Sequence, residues 1–310
     1  MRNRARINLI VMLTLILMLP TGSISFAQGA KTDDTKVQSS ITLGTVKLRD
    51  NVSAEVKNLL ALPTGGNQII SFIVTIHNNS NADFSFLDYW VDLYTKSGTK
   101  LSVKLTDNKD NKISAKTTKD LVFYSQTGTD IKVTDLIVKL IKWDFSSSNY
   151  AKVIGEIATP QRYNPVTPAG YSRIITTAGS EISFAIKKAT VGKSEKYYQT
   201  ELKLIMKNEG KTSATLPDYQ LYIKTKNNLM YPLTATNLKG VTLDPLSEKE
   251  FQLSATIPIS VDKQGWEFSV MYSANEEKEL IPAATFELPK STTDNSGDSR
   301  REYTFSTSDG

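Results

Sequence analysis

The chain has 310 residues, with 37 Lys and Arg against 32 Asp and Glu, one His and no Cys. The absence of cysteine excludes disulfides, thiolate metal centres, redox pairs and cysteine nucleophiles. Charges of both signs are interspersed, so no basic stripe is available to follow a nucleic-acid backbone.

The first 27 residues read as an export signal. Arg2, Arg4 and Arg6 form a basic start, residues 7–19 are apolar, and Pro20 and Gly22 precede Ser25-Phe26-Ala27, a small-x-small cleavage site. The apolar run is about 13 residues, short of the ~20 needed to span a bilayer, which favours a cleaved peptide over a retained anchor. Contact with the membrane is then transient. Losing three arginines lowers the formal charge from +5 to about +2. An exported chain without cysteine, and so without a lipoprotein attachment site, points to a bacterial and extracytoplasmic protein, secreted or at the surface of a Gram-positive cell.

Residues 28–40 are small, polar and mixed in charge, and read as a flexible leader. A first β-rich module is expected over 41–159. It opens with an alternating edge strand at 41–48, continues at 54–60, and turns at 63–67, where Gly65 and Gly66 supply positive φ. Residues 69–76 are apolar and β-branched and end in the turn cluster His77-Asn78-Asn79-Ser80-Asn81. Tyr89, Val91 and Leu93 alternate before a hairpin at Ser97-Gly98. Asp107-Asn108-Lys109-Asp110-Asn111 lacks the glycine and distant glutamate of a calcium loop and reads as a polar turn. Residues 131–143 suit a strand or a short helix by pattern alone.

A linker with three prolines is expected at 160–170, stiff enough to hold two modules apart. The second module runs over 171–289, with its last strand at 283–288. Residues 276–279 read as a solvated hairpin tip, and 290–310 as a disordered tail. Within that tail Tyr303-Thr304-Phe305-Ser306-Thr307 resembles Tyr171-Ser172-Arg173-Ile174-Ile175-Thr176, as the start of a truncated third module would.

The two-module reading rests on an ungapped internal match. Residues 72–103 recur at 202–233: Phe72, Val74 and Ile76 answer to Leu202, Leu204 and Met206, Asn78 to Asn208, and Asp88-Tyr89 to Asp218-Tyr219. The second copy also settles 131–143 as a strand, because Trp266, Phe268, Val270 and Tyr272 alternate cleanly. Sharing between copies gives Asn78, Asp88, Tyr89, Asn208, Asp218 and Tyr219 structural roles, the tyrosines packing at strand entrances with their hydroxyls satisfied. A difference between copies is the better functional signal. If Tyr89, Val91 and Leu93 face inward, period-two geometry puts Trp90, Asp92 and Tyr94 outward, where the second copy has Gln220, Tyr222 and Lys224.

The expected fold is all-β: two tandem immunoglobulin-like sandwiches after a signal peptide. The segments Ile73-Val74-Thr75-Ile76-His77-Asn78-Asn79-Ser80 and Leu202-Lys203-Leu204-Ile205-Met206-Lys207-Asn208-Glu209-Gly210 resemble the V-x-V-x-N-x-G/S core of bacterial secreted immunoglobulin-like modules related to the mycobacterial extracellular immunoprotective antigen. That resemblance covers roughly a third of the mature chain. It implies a sandwich fold and an extracytoplasmic site, and brings no catalytic residues.

No acid, base and nucleophile converge in the sequence. His77 falls out of phase with the inward set, its counterpart is Lys207, and it reads as an exposed strand-end histidine. The expected function is therefore non-enzymatic and free of cofactors: a cell-envelope protein whose modules serve as spacers and protein-contact surfaces. The alternative is binding of wall polysaccharide through Trp90, Asp92 and Tyr94.

Overall fold

Alternating β-branched and aromatic residues build strands along nearly all of the described chain, because such side chains pack on a pleated surface. The computed structural model describes residues 36–106, 111–177, 179–235, 238–273 and 279–290. The signal peptide, the leader through residue 35, most of the polar turn at 107–111, and the tail from 291 onward lie outside the described residues.

In chain order the strands are β1 (Lys36–Gln38), β2 (Thr42–Arg49), β3 (Val52–Thr64), β4 (Asn67–Asn78), β5 (Phe84–Ser85), β6 (Tyr89–Thr95), β7 (Lys100–Leu101), β8 (Lys104–Leu105), β9 (Lys112–Ile113), β10 (Thr117–Thr127), β11 (Leu136–Trp143) and β12 (Ala151–Ala158). They continue as β13 (Val166–Thr167), β14 (Tyr171–Thr177), β15 (Ser180–Lys193), β16 (Tyr197–Asn208), β17 (Ala214–Thr215), β18 (Tyr219–Lys224), β19 (Met230–Pro232), β20 (Thr234–Ala235), β21 (Thr242–Leu243), β22 (Glu248–Pro258), β23 (Glu267–Ser273) and β24 (Leu280–Glu287). Residues 131–143, open between strand and helix by pattern, include the strand β11.

The fold is an all-β sandwich. In the first half, sheet β2-β3-β4-β10-β8 faces sheet β12-β11-β6-β7; in the second, β14-β15-β16-β22-β20 faces β24-β23-β18-β19. Register recurs with the order. Phe72 pairs with Phe123 and Leu202 with Leu253; Val91 pairs with Leu140 and Leu221 with Val270; Phe84 pairs with Ile113 and Ala214 with Leu243. Even the irregularities coincide, after Leu140 in β11 and after Val270 in β23. Each half closes over its own core, around Phe72, Val74, Ile76, Leu93 and Leu140 in one and Phe184, Leu202, Leu204, Phe268 and Phe286 in the other. Burying each such side chain contributes about 1.5–3 kcal/mol.

The first strand breaks the symmetry. β13 pairs in parallel with β24 of its own half, whereas β1 leaves its half and pairs in parallel with β14, Lys36 opposite Tyr171. The open side of the first half is closed by glycine instead. Gly44 lies against Ile157 and Gly155 against Val46, so β2 and β12 approach where side chains would otherwise keep them apart. Ala284 holds the position in the second half that Gly155 holds in the first.

Three expectations are corrected here. Residues 36–38, expected within a flexible leader, form β1, and the linker contributes β13 to the second half. The linker's Tyr163 is anchored in the first half, its hydroxyl donating to Leu59 O at 2.8 Å. The halves are not held apart. Leu60 and Leu62 pack with Met271, and Ile69 and Tyr124 with Ile281, in two small apolar clusters between them. The physical reason is that β3 and β4 are apolar on both faces, and the outer face needs a cover too.

Candidate aromatic binding face

Strands β6 and β11 lie side by side with Trp90 opposite Ile141, Asp92 opposite Lys139 and Tyr94 opposite Ile137. Trp90, Asp92 and Tyr94 therefore share the outer face, as period-two geometry requires. They do not act as a set. Asp92 is only 9% exposed, and Lys100 Nζ sits 2.7 Å from its carboxylate. The Tyr94 ring carries Lys139 Nζ at 4.9 Å and Lys100 Nζ at 6.0 Å from its centroid. The hydrogen bond to Asp92 raises the Lys100 pKa, with burial opposing it. Asp92 and Tyr94 are thus tied up by lysines.

Trp90 turns instead toward residues that the sequence pattern did not single out. Its ring centroid is 4.7 Å from that of Trp143, at the end of β11; Trp143 lies 6.4 Å from Phe145, and Phe145 lies 6.3 Å from Tyr150. Trp143 is 47% exposed, Phe145 81% and Tyr150 57%. Four aromatic rings run in a row from a half-buried anchor out into solvent, with exposed Val153 on neighbouring β12.

The loop that presents Phe145 and Tyr150 is held by its own polar groups. Asp144 N donates to Tyr150 O at 3.0 Å, Ser147 N to Asp144 O at 3.1 Å, and Tyr150 N to Ser147 O at 3.1 Å. Ser147 Oγ accepts from Ala151 N at 3.0 Å. Tyr150 has φ 55°, left-handed backbone that costs a non-glycine residue roughly 1–2 kcal/mol. Asp144 Oδ1 accepts from the Ser146 hydroxyl at 2.5 Å and from Ser146 N at 3.0 Å, and these bonds hold its carboxyl below the ordinary range. A signal for this loop existed in the sequence: Trp143, Phe145 and Tyr150 surround Asp144 and three serines, an aromatic density that ordinary turns lack.

The residues shared between copies serve the fold. Asn78 Nδ2 donates to the carbonyls of Ala82, Ile113 and Ser114 at 2.9, 3.0 and 3.0 Å. Asn208 Nδ2 does the same to Thr212, Leu243 and Asp244. The Tyr89 hydroxyl donates to Leu48 O at 3.3 Å, and the Tyr219 hydroxyl lies 2.8 Å from Thr177 Oγ1. Burial pushes the Tyr219 hydroxyl up to about 12. Asp88 lies in the single turn Phe86–Asp88, and Asp218 meets Lys239 at 3.2 Å rather than a loop amide.

His77 has more company than expected. Its Nε2 is 3.0 Å from Glu55 Oε2 and its Nδ1 is 3.4 Å from Thr118 Oγ1, in a file across β3, β4 and β10. The order hydroxyl, imidazole, carboxylate is that of a proton relay. It lies, however, on a sheet face whose backbone N–H groups are engaged in strand pairing, which among the described residues leaves no pair of free donors beside it for an oxyanion. A cleft of about 200 Å³ between the halves is lined by Lys57, Asp120, Ile73, Val122, Tyr272 and Pro282. Two of its charges are paired: Lys57 meets Asp120 at 3.2 Å, and Thr75 Oγ1 donates to Asp120 at 2.6 Å. Among the described residues, no three His, Asp or Glu gather closely enough to hold a metal ion, and no helix is long and apolar enough to cross a membrane.

No family model matches the sequence, and no curated protein matches it. Among solved structures, the secreted serine protease VesC from Vibrio cholerae aligns at 10% identity with a TM-score of 0.21, over 74% of this chain and 51% of that one. The chain thus spans about half the length of that structure, at a similarity too low to support any argument about chemistry.

Proposed function

We propose that this chain is a non-enzymatic, exported cell-envelope protein, built from two tandem copies of one secreted immunoglobulin-like module, in which a rigid two-sandwich body displays a contact face. The single observation that carries this reading is the row that starts at half-buried Trp90 on β6 and continues through exposed Trp143 at the end of β11 to exposed Phe145 and Tyr150 on a hydrogen-bonded loop, a concentration of large aromatic rings seldom left open to solvent. Three features support rigidity: β1 crossing to β14, Tyr163 anchoring the linker, and the apolar clusters between the halves. A rigid body keeps the row at a fixed distance from wherever the second half is held. The extracytoplasmic, Gram-positive setting rests on the N-terminal signal and the missing cysteine.

The test is retention on an isolated envelope fraction. Wild-type chain should sediment with the envelope, and a Trp143→Ala, Phe145→Ala, Tyr150→Ala triple variant with an unchanged melting curve should stay in solution. Equal retention of both would remove the contact face from the account. An enzyme reading would take its place if a broad hydrolase panel gave turnover that His77→Ala abolished.

A further inference from the structure

We infer that the two sandwiches are locked into a single folding unit, so that neither half unfolds while the other stays folded. The lock is independent of whatever meets the aromatic row. Each half closes over its own core, and two such bodies joined only by polar contacts would open separately. The composition of the joint forbids that here.

Matched positions in the two halves mark the joint as specific to the first. Phe72 and Phe123 pair on the inner face of one sandwich as Leu202 and Leu253 do in the other. One residue away, on the outer face, the first half carries Ser71 opposite Tyr124 and Ile73 opposite Val122, where the second carries Glu201 opposite Ser254 and Lys203 opposite Gln252. Glu201, Gln252 and Ser254 stand exposed, as a sheet face in water allows. The first half has an outer face that must be kept dry.

Leu60, Leu62, Ile69 and Tyr124 of the first half and Met271 and Ile281 of the second are each at most 7% exposed, and all lie in the joint. Burial of that many large side chains stabilises by an amount comparable to the whole stability of an ordinary domain. Polar contacts fix how the faces meet: Ser71 Oγ donates to Pro282 O at 2.7 Å in a buried setting, and β1 pairs with β14. Opening the second half alone strips the cover from β3 and β4; opening the first alone removes β1 from β14 and bares Met271 and Ile281. A half-open chain therefore loses the joint as well as one core, and near the unfolding midpoint it is scarcely populated.

The experiment reads each half of the full chain through its own tryptophans. Trp90→Phe with Trp143→Phe leaves Trp266, buried in the second core, to report on that half, and Trp266→Phe leaves the other two to report on the first. Into both backgrounds goes Val74→Ala, a fully buried change on the inner face of the first half. Urea unfolding should give one midpoint in both backgrounds, and Val74→Ala should lower both by the same shift. A Trp266 midpoint that ignores Val74→Ala would overturn the lock. Scanning calorimetry of the unmodified chain decides the matter even if that variant fails to fold: one peak with equal calorimetric and van't Hoff enthalpies is expected, and two peaks would overturn it. Giving the first half the outer residues that the second carries, Ile73→Lys, Val122→Gln and Tyr124→Ser, should split the two midpoints. Midpoints that still move together in that variant would mean that the joint is not what couples the halves.

Discussion

Arg173 Nη2 donates to Asn58 Oδ1 at 2.7 Å, joining β14 of the second half to a bulge in β3 of the first. Arg173 is 3% exposed, its Nη1 donates to Pro165 O at 2.8 Å, and it has no carboxylate partner among the described residues. Asn58 also meets the start of the first half, accepting from Ile41 N at 3.1 Å through its side chain and donating from its backbone to Ile41 O at 3.0 Å. One asparagine thus ties together three segments, and burial of the guanidinium makes its acceptors matter.

Asn58→Gly should cost about 1.5–3 kcal/mol, because the guanidinium loses a charge-assisted bond while the φ of 57° at that position suits glycine. Urea midpoints measure the loss, and a protease should cut the 160–165 stretch faster as the joint loosens. Arg173→Met should behave alike; an unchanged midpoint in both would mean that the apolar clusters alone hold the joint.

Asn78→Ala should cost about 2–4 kcal/mol, since three carbonyls at a site closed to water lose their donor together. Asn208→Ala should cost the same, which thermal and urea denaturation of the paired variants can compare. Asn78→Asp should be worse still at neutral pH, because a carboxylate facing three carbonyls can donate to none.

Gly155→Ala should destabilise by about 1–3 kcal/mol, because the new Cβ overlaps the Val46 side chain. Val46→Ala in the same chain should recover part of that loss. A double-mutant cycle showing simple additivity would contradict the close approach of β2 and β12.

Glu279 makes the joint sensitive to acid. The Tyr124 hydroxyl donates to its carboxylate and Lys104 Nζ lies 3.2 Å away; the tyrosine bond first, against burial and with the lysine, holds its pKa below the usual 4.5. A depressed carboxylate contributes stability that is in place above 4.5 and is lost as pH falls through the lowered value. Glu279→Gln should therefore lower the urea midpoint at pH 6 and leave it little changed near pH 2. This residue was expected in a solvated hairpin tip; its contacts belong to the other half of the chain, which no local pattern records.

How far the sequence could be read depends on which physical signal each feature leaves. Phe72, Val74 and Ile76 announce an inward face by period alone, and the match of Asn78 to Asn208 anticipates two identical sets of carbonyl contacts. Trp90 was placed on the correct face, but its neighbours were not, because Trp143 and Phe145 come from another strand and a loop. Asp92 and Tyr94 look available in sequence and are engaged by Lys100 and Lys139 in space.

That the chain is β-built, which residues of each strand turn inward, and where pairing register repeats can all be read from the residues alone, since these follow from side-chain alternation and local turn chemistry. Three features come from the folded arrangement instead: β1 crosses to β14, the outer faces of β3 and β4 are covered, and four aromatic rings from separate segments meet in one row. Those are contacts between distant segments, fixed by which surfaces must be shielded from water, and alternation within one strand carries no information about its partner.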